Sequence, residues 1–243
     1  MRIGRLRTAD GVVHARRTET GWAPVEDPYE ALAQGREPAD LGGEAAGELL
    51  PPCEPLVVVG IAQNGPEHHS PVQAWLKSPR TVVASGAEVT LRRDAGTPYA
   101  EGEIAVVIGR DTEGLTAANA HEYVLGVTAV NDLSSHDRAQ FDPRNFESKA
   151  GDGYTPLGPW IDTDADLDDV ALTLEVDGET IAETGSRELP STIRDCLAYV
   201  ATWARLGPGD VIMTGAPKTL HPIQAGAVVA VHVAGMTLVT PTR

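Results

Sequence analysis

Cysteine is nearly absent: the 243 residues hold only Cys53 and Cys196, with no C-x-x-C and no Cys/His cluster. That excludes a disulfide-framed scaffold and a structural zinc knuckle, and it fits a reducing, cytoplasmic setting. Long apolar runs are missing too. None approaches the roughly 20 residues of a membrane-spanning helix. Residues 1–11 are basic without an apolar stretch behind them, so no signal peptide is expected. Positive charge is scarce, with 19 Lys and Arg against 35 Asp and Glu, a net charge of −16. Such a field repels phosphate backbones and anionic lipid, so neither nucleic acid nor membrane is an expected partner. An anionic substrate would need local help from a metal ion, a lysine, an arginine or backbone N–H groups.

What remains is a chain rich in short β signals. Arg2–Arg7 alternates, Asp10-Gly11 is a hairpin turn and Val12–Ala15 returns, so residues 1–25 form a small β element. Residues 27–55 lose periodicity and gather Gly, Pro, Ala and Glu, which marks a linker with one short helix near Tyr29–Ala33. The boundaries are 1–55 for the N-terminal element and linker and 56–243 for the main domain. That domain opens on a short buried strand, Leu56–Gly60. Further strands are expected near Thr81–Ala84, Glu88–Leu91, Tyr123–Val130, Leu172–Val176, Asp210–Thr214 and Ala227–Val233. Two helices are expected, Thr116–Glu122 and a longer one over Ser191–Ala204 capped by Ser191. Trp75, Trp160 and Trp203 are expected in the core. Many strands and few helices give a mostly β, α+β fold rather than a doubly wound parallel sheet.

The segment that carries chemistry is Tyr99-Ala-Glu-Gly-Glu-Ile-Ala-Val-Val-Ile-Gly109. On a strand, Glu101 and Glu103 project from one face, and the apolar run after them is that of a buried strand. Paired carboxylates at the mouth of such a strand are costly unless a cation compensates them. A third acid, Asp132, ends the apolar run Gly126–Asn131. Three carboxylates with few bases nearby suggest a hard divalent cation, Mg²⁺ or a close relative, rather than zinc. His121-Glu122 begins like H-E-x-x-H, but Leu125 stands where the second histidine belongs, so no zinc site is read there.

Four further stretches turn these residues into a resemblance. Gly126-Val-Thr-Ala-Val-Asn-Asp132, Asn131-Asp-Leu-Ser-Ser-His-Asp137, Lys149-Ala-Gly-Asp-Gly-Tyr-Thr-Pro-Leu-Gly-Pro-Trp160 and Leu206-Gly-Pro-Gly-Asp-Val-Ile-Met-Thr-Gly-Ala-Pro217 follow the acid pair in order. Together they resemble the fumarylacetoacetate hydrolase superfamily, in wording closest to its branch of 2-hydroxyhepta-2,4-diene-1,7-dioate isomerases and 5-carboxymethyl-2-oxo-hex-3-ene-1,7-dioate decarboxylases. The resemblance implies a mixed β-roll, a homodimer, and a Mg²⁺ or Mn²⁺ ion on Glu101, Glu103 and Asp132. It also implies a small 2-oxo carboxylate substrate held for reaction through a metal-stabilised enolate. Lys149 would contact substrate oxygens, with Asp152, Thr214 and Gly215 on the substrate as well.

Departures from the pattern bear on the reaction. The family's G-x-N-Y-x-x-H-x-x-E supplies a His–Glu pair that activates water; here His68 or His69 takes the histidine position, but Pro71 and Val72 follow where Glu is expected. His136 stands where an arginine is usual, leaving Arg138 or Arg144 to replace that contact. Hydrolysis needs a general base for water, whereas decarboxylation or isomerisation needs a stabilised enolate and one proton carrier, drawn from His68, His69 or His136. The expectation is therefore a decarboxylase or isomerase. The alternatives are an acylpyruvate-type C–C hydrolase, a hydratase, dehydratase or cyclase, and a non-catalytic binding protein of the same fold.

Overall fold

A computed structural model describes residues 1–62, 64–65 and 72–243. The long strand Pro98–Ile108 is the axis of the molecule, and Ala100 to Ile108 are all buried. Nine strands lie in order across the main sheet: Trp22–Pro24, Gly11–Arg17, Arg2–Thr8, Ile161–Asp162, Val124–Asn131, Pro98–Ile108, Val211–Met213, Val58–Ala62 and Gln73–Lys77. Neighbours run antiparallel except Val211–Met213 with Val58–Ala62, which are parallel. Three shorter strands hang off this path, and two of them, Ser134–Ser135 and Leu220–Pro222, pair with the N-terminal half of Pro98–Ile108. A second, four-stranded antiparallel sheet is built from Glu179–Gly185, Ala171–Val176, Val228–Val233 and Met236–Pro241.

The pleat decides which face of the acid strand does what. A Cβ on Gly102 would meet Leu174 and Val231 of the second sheet at 3.3 Å, so Gly102 faces that sheet. Glu101 and Glu103, one residue to either side, must then face away from it. The apolar residues of both sheets and of helix Ile193–Trp203 form the main core, with Ile104, Val106, Ile108, Leu174, Val231 and Leu197 among its buried members. The mostly β, mixed-sheet architecture expected from the sequence is the one observed. Arg2–Thr8 pairs with both Gly11–Arg17 and Ile161–Asp162, so the N-terminal hairpin extends the main sheet.

Local differences have local causes. The first strand of the main domain runs Val58–Ala62 rather than Leu56–Gly60, because the Asp210 carboxylate accepts the Leu56 and Val57 N–H groups and holds those residues outside the ladder. The expected helix Thr116–Glu122 is a 3-10 turn, Ala120–Tyr123. There the Asn119 side chain accepts the Thr116 N–H and donates to the Gly114 carbonyl, a local alternative to helix. The longer helix is Ile193–Trp203 with Thr192 as its cap. The Thr192 hydroxyl accepts the Asp195 N–H at 3.1 Å, and the Ser191 backbone is held by the Asn64 side chain one residue outside the helix. Glu88–Leu91 is not a strand but a single bridge, Val89 with Thr242. Trp203 is 77 % exposed, not a core residue, because the buried face of its helix ends at Val200. Cys53 and Cys196 are both buried and unpaired.

Candidate active site

At the open end of the acid strand the three carboxylates converge. Glu101, Glu103 and Asp132 are buried, and one oxygen from each lies within 4.8 Å of the others. Asp132 is delivered by the neighbouring strand: its N–H donates to the Glu101 carbonyl at 2.8 Å, just past the Gly102–Asn131 pair. Lys149 is delivered by a loop. The Ser135 N–H donates to the Ser148 carbonyl at 2.7 Å, which closes the loop and sets Lys149 over the acids. Its Nζ lies 2.6 Å from both Glu101 Oε1 and Asp132 Oδ2.

The electrostatics separate the two glutamates. Burial alone would raise Glu101, but the Lys149 charge, with hydrogen bonds from His136, Lys149 and Ser134, pulls it down to about 2. Ser134 Oγ donates to Glu101 Oε1 at 2.5 Å, and His136 Nε2 lies 3.3 Å from the same oxygen. Glu103 goes the other way. Burial, then the charges of Asp132 and Glu101, push it well above the ordinary carboxyl value, against only Lys149 and the Gly215 N–H at 2.7 Å. Lys149 is raised despite burial, because Asp132, Glu101 and Glu103 all surround it.

A second lysine sits behind the first. Lys77 ends the edge strand Gln73–Lys77, and its Nζ donates to Asp132 Oδ1, to the Tyr154 carbonyl at 2.7 Å and to the Leu133 carbonyl at 3.4 Å. Burial lowers its pKa, yet all three neighbours are acceptors. Only an ammonium, with three donors, satisfies them together. Trp75 of the same strand lies under Lys149, its ring 5.4 Å from Nζ. The ring fits there because residue 60 is glycine: a Cβ at Gly60 would stand 2.3 Å from Trp75 Cζ2.

Three carboxylates with hard oxygen donors, close together and joined by no sulfur or imidazole ligand among the described residues, suit a divalent cation such as Mg²⁺ or Mn²⁺. Glu103, held by one backbone N–H and with its pKa raised by burial and the neighbouring acids, is the donor whose ionised form such a cation would favour most. The group opens into a cleft of about 670 Å³. Over residues 53–242 the sequence matches the Fumarylacetoacetate (FAA) hydrolase C-terminal family. The chain belongs to the fumarylacetoacetate hydrolase family.

Individual relatives place it further. It is 30% identical to Protein Rv2993c of Mycobacterium tuberculosis, over 99% of this chain and 97% of that one. It is 33% identical to the 4-hydroxyphenylacetate degradation bifunctional isomerase/decarboxylase of Salmonella dublin over 90% of this chain, but spans 48%, about half, of that relative. The solved 5-carboxymethyl-2-hydroxymuconate delta-isomerase from Mycobacterium smegmatis is 32% identical and superposes with a TM-score of 0.90, covering 100% of this chain and 99% of its own. The names of the last two match the branch that the motif wording resembles. The family and these relatives support an enzyme, and no helix among the described residues is long and apolar enough to cross a membrane.

Of the residues singled out in the sequence, Glu101, Glu103, Asp132, Lys149, His136 and Gly215 all line the cleft. Thr214 lies beneath it, fully buried, with its hydroxyl donating to the Ile104 carbonyl at 2.9 Å. Arg138 stands outside the lining, paired with Glu147. Asp152 and Arg144 are exposed and outside it as well. His68 and His69 lie outside the described residues. Sequence reasoning passed over Lys77, Trp75, Ser134 and Asn64. Asn64 donates to the Thr214 carbonyl at 2.6 Å and so holds the turn that presents the Gly215 N–H.

Proposed function

We propose that the protein is a divalent-cation-dependent enzyme acting on a small 2-oxo carboxylate by decarboxylation or isomerisation. The observation that carries this reading is the convergence of Glu101, Glu103 and Asp132 under one lysine at the base of an open cleft. Bound by those three residues, Mg²⁺ or Mn²⁺ would supply Lewis-acid polarisation of a substrate carbonyl. Lys149 would hold a substrate oxygen by a charge-assisted hydrogen bond, since its ammonium is kept protonated by the acids around it. The Gly215 N–H, fixed by Asn64 behind it, donates to Glu103 and would steady that carboxylate for the cation. His136 is the proton carrier in this reading. Its ring faces the cleft beside Glu101 and packs on Tyr99 at 4.8 Å, and an imidazole can both give and take a proton through its two ring nitrogens. The relatives named for isomerase and decarboxylase activity support both outcomes of one proton-transfer scheme. A homodimer, a cytoplasmic setting and a division into an N-terminal element and linker (1–55) and a catalytic domain (56–243) belong to the same reading, the first checked by light scattering.

The test is turnover of oxaloacetate and of an unsaturated 2-hydroxy dicarboxylate, with and without Mg²⁺, in the wild type, Glu101→Gln and His136→Gln. Cation-dependent CO₂ release or double-bond migration should fall by at least about 100-fold in Glu101→Gln. His136→Gln should lower kcat by about 10²-fold or more, as loss of a general acid–base does. Equal rates in wild type and Glu101→Gln would dispose of the metal-enzyme reading.

A further inference from the structure

A second cavity, of about 240 Å³, shares no lining residue with the cleft. Its walls come from both parts of the chain: Arg5, Arg7, Cys53 and Glu54 from residues 1–55, and Pro79 and Val82 from the main domain. Arg5 and Arg7 stand two apart on the strand Arg2–Thr8, so both side chains leave it on one face. Leu6, between them, leaves on the other face and belongs to a small apolar cluster with Ala15 and Ala45.

Arg5 is poorly compensated for a buried cation. Its side chain is 8 % exposed, whereas that of its carboxylate partner, Glu54, is 80 % exposed. Nη1 donates to the Pro51 carbonyl at 3.2 Å and Nη2 lies 2.9 Å from Glu54, while Nε has no partner among the described residues. A buried charge is costly unless it is paired and hydrogen-bonded throughout, and a carboxylate standing in water compensates it weakly. Arg7 sits at the rim, mostly exposed and 3.8 Å from Glu48. We infer that this cavity is a second ligand site, which takes a small oxyanion, a phosphate or carboxylate group, on the Arg5 guanidinium.

The planar fork of a guanidinium meets two oxygens of such a group in parallel. Glu54 gives way at little cost, because its side chain returns to water. Cys53 does not turn the cavity into a metal site: burial pushes its thiol up to about 12, so it remains a neutral wall. Much of the remaining wall is proline and aliphatic side chains, a low-dielectric surround that strengthens a charged contact. An anion held there touches both parts of the chain and fastens the N-terminal hairpin to the main domain. The net charge of −16 opposes its approach, which sets the affinity in the modest range.

Calorimetry on the full chain with inorganic phosphate and with acetate tests this, in EDTA so that no cation in the cleft offers the anion another ligand. At least one of the two should bind 1:1 with a Kd of about 1 mM, the scale of two charge-assisted hydrogen bonds, and should raise Tm. Arg5→Met, its folding checked by its thermal transition, should weaken binding about tenfold or more. Arg7→Met, a change at an exposed side chain, should weaken it about two- to fivefold, and Glu54→Gln, which removes the competing carboxylate, should tighten it by about the same factor. Binding of phosphate alone identifies the group as a phosphate, and binding of acetate alone as a carboxylate. No binding of either by the wild type up to about 50 mM, or a Kd unchanged in Arg7→Met, Glu54→Gln and folded Arg5→Met, overturns the inference; should Arg5→Met fail to fold, the other two variants decide.

Discussion

Replacing Lys77 by Met tests how the acid cluster is held. The side chain lies away from the cleft opening, almost fully buried, so the change removes a charge and three donors while roughly keeping the apolar stem. Removing one partner of a buried ion pair costs about 3–5 kcal/mol. Two observations reduce that here. Asp132 keeps Lys149 on its other oxygen at 2.6 Å, and the Tyr154 carbonyl keeps the Leu133 N–H at 3.2 Å. A loss of about 2–4 kcal/mol is therefore expected, or a fall in Tm of roughly 5–15 °C for a chain of this size. The assay is thermal and urea unfolding of wild type, Lys77→Met, Asp132→Asn and the double variant. If Lys77 acts through the Asp132 carboxylate, removing it should cost at least about 1 kcal/mol less in the Asp132→Asn background. The same loss in both backgrounds would refute the account and leave Lys77 as packing.

Two further outcomes follow from the same geometry. Glu103 has its pKa raised by burial and by two neighbouring carboxylates, so the cation-free fold binds that proton more tightly than the unfolded chain and loses stability as pH rises from the ordinary carboxyl value of 4.5 toward the raised one. Cation binding must release that proton, so calorimetry in buffers of different ionisation heat should show affinity for Mn²⁺ rising with pH, by up to about tenfold per unit, and the slope should flatten in Glu103→Gln. A pH-independent wild type contradicts this. Gly60→Ala would set a Cβ 2.3 Å from the Trp75 ring. It should destabilise by about 1–3 kcal/mol and shift tryptophan fluorescence as the ring moves off Lys149; an unchanged spectrum and Tm would mean that the ring does not rest on Gly60.

The acid pair was legible because strand alternation and the following apolar run fix both its face and its burial, and because Asp132 ends the adjoining strand. The fold class was legible for a related reason: turn signals and short apolar runs recur along the whole main domain. Lys77 was not. A lysine closing a short strand is ordinarily a surface residue, and its acceptors come from positions 132, 133 and 154, brought together only by tertiary pairing. Thr214 shows the converse. Its motif points to both Thr214 and Gly215 as substrate contacts, but the hydroxyl bonds back to Ile104 and it is the neighbouring Gly215 N–H that reaches the acids. Which atom of a turn faces a site depends on strand register, and one residue of shift exchanges the faces.

Charge counting links the cluster to its substrate. Two ammonium groups, Lys77 and Lys149, stand against Glu101 and Asp132. With a dication and Glu103 ionised, three carboxylates face four positive charges, leaving one in a buried setting. An uncompensated buried charge costs several kcal/mol, and one substrate carboxylate cancels it. A phosphate-bearing head group, near two negative charges at neutral pH, would overshoot. The base of the cleft thus favours a monoanionic 2-oxo acid end.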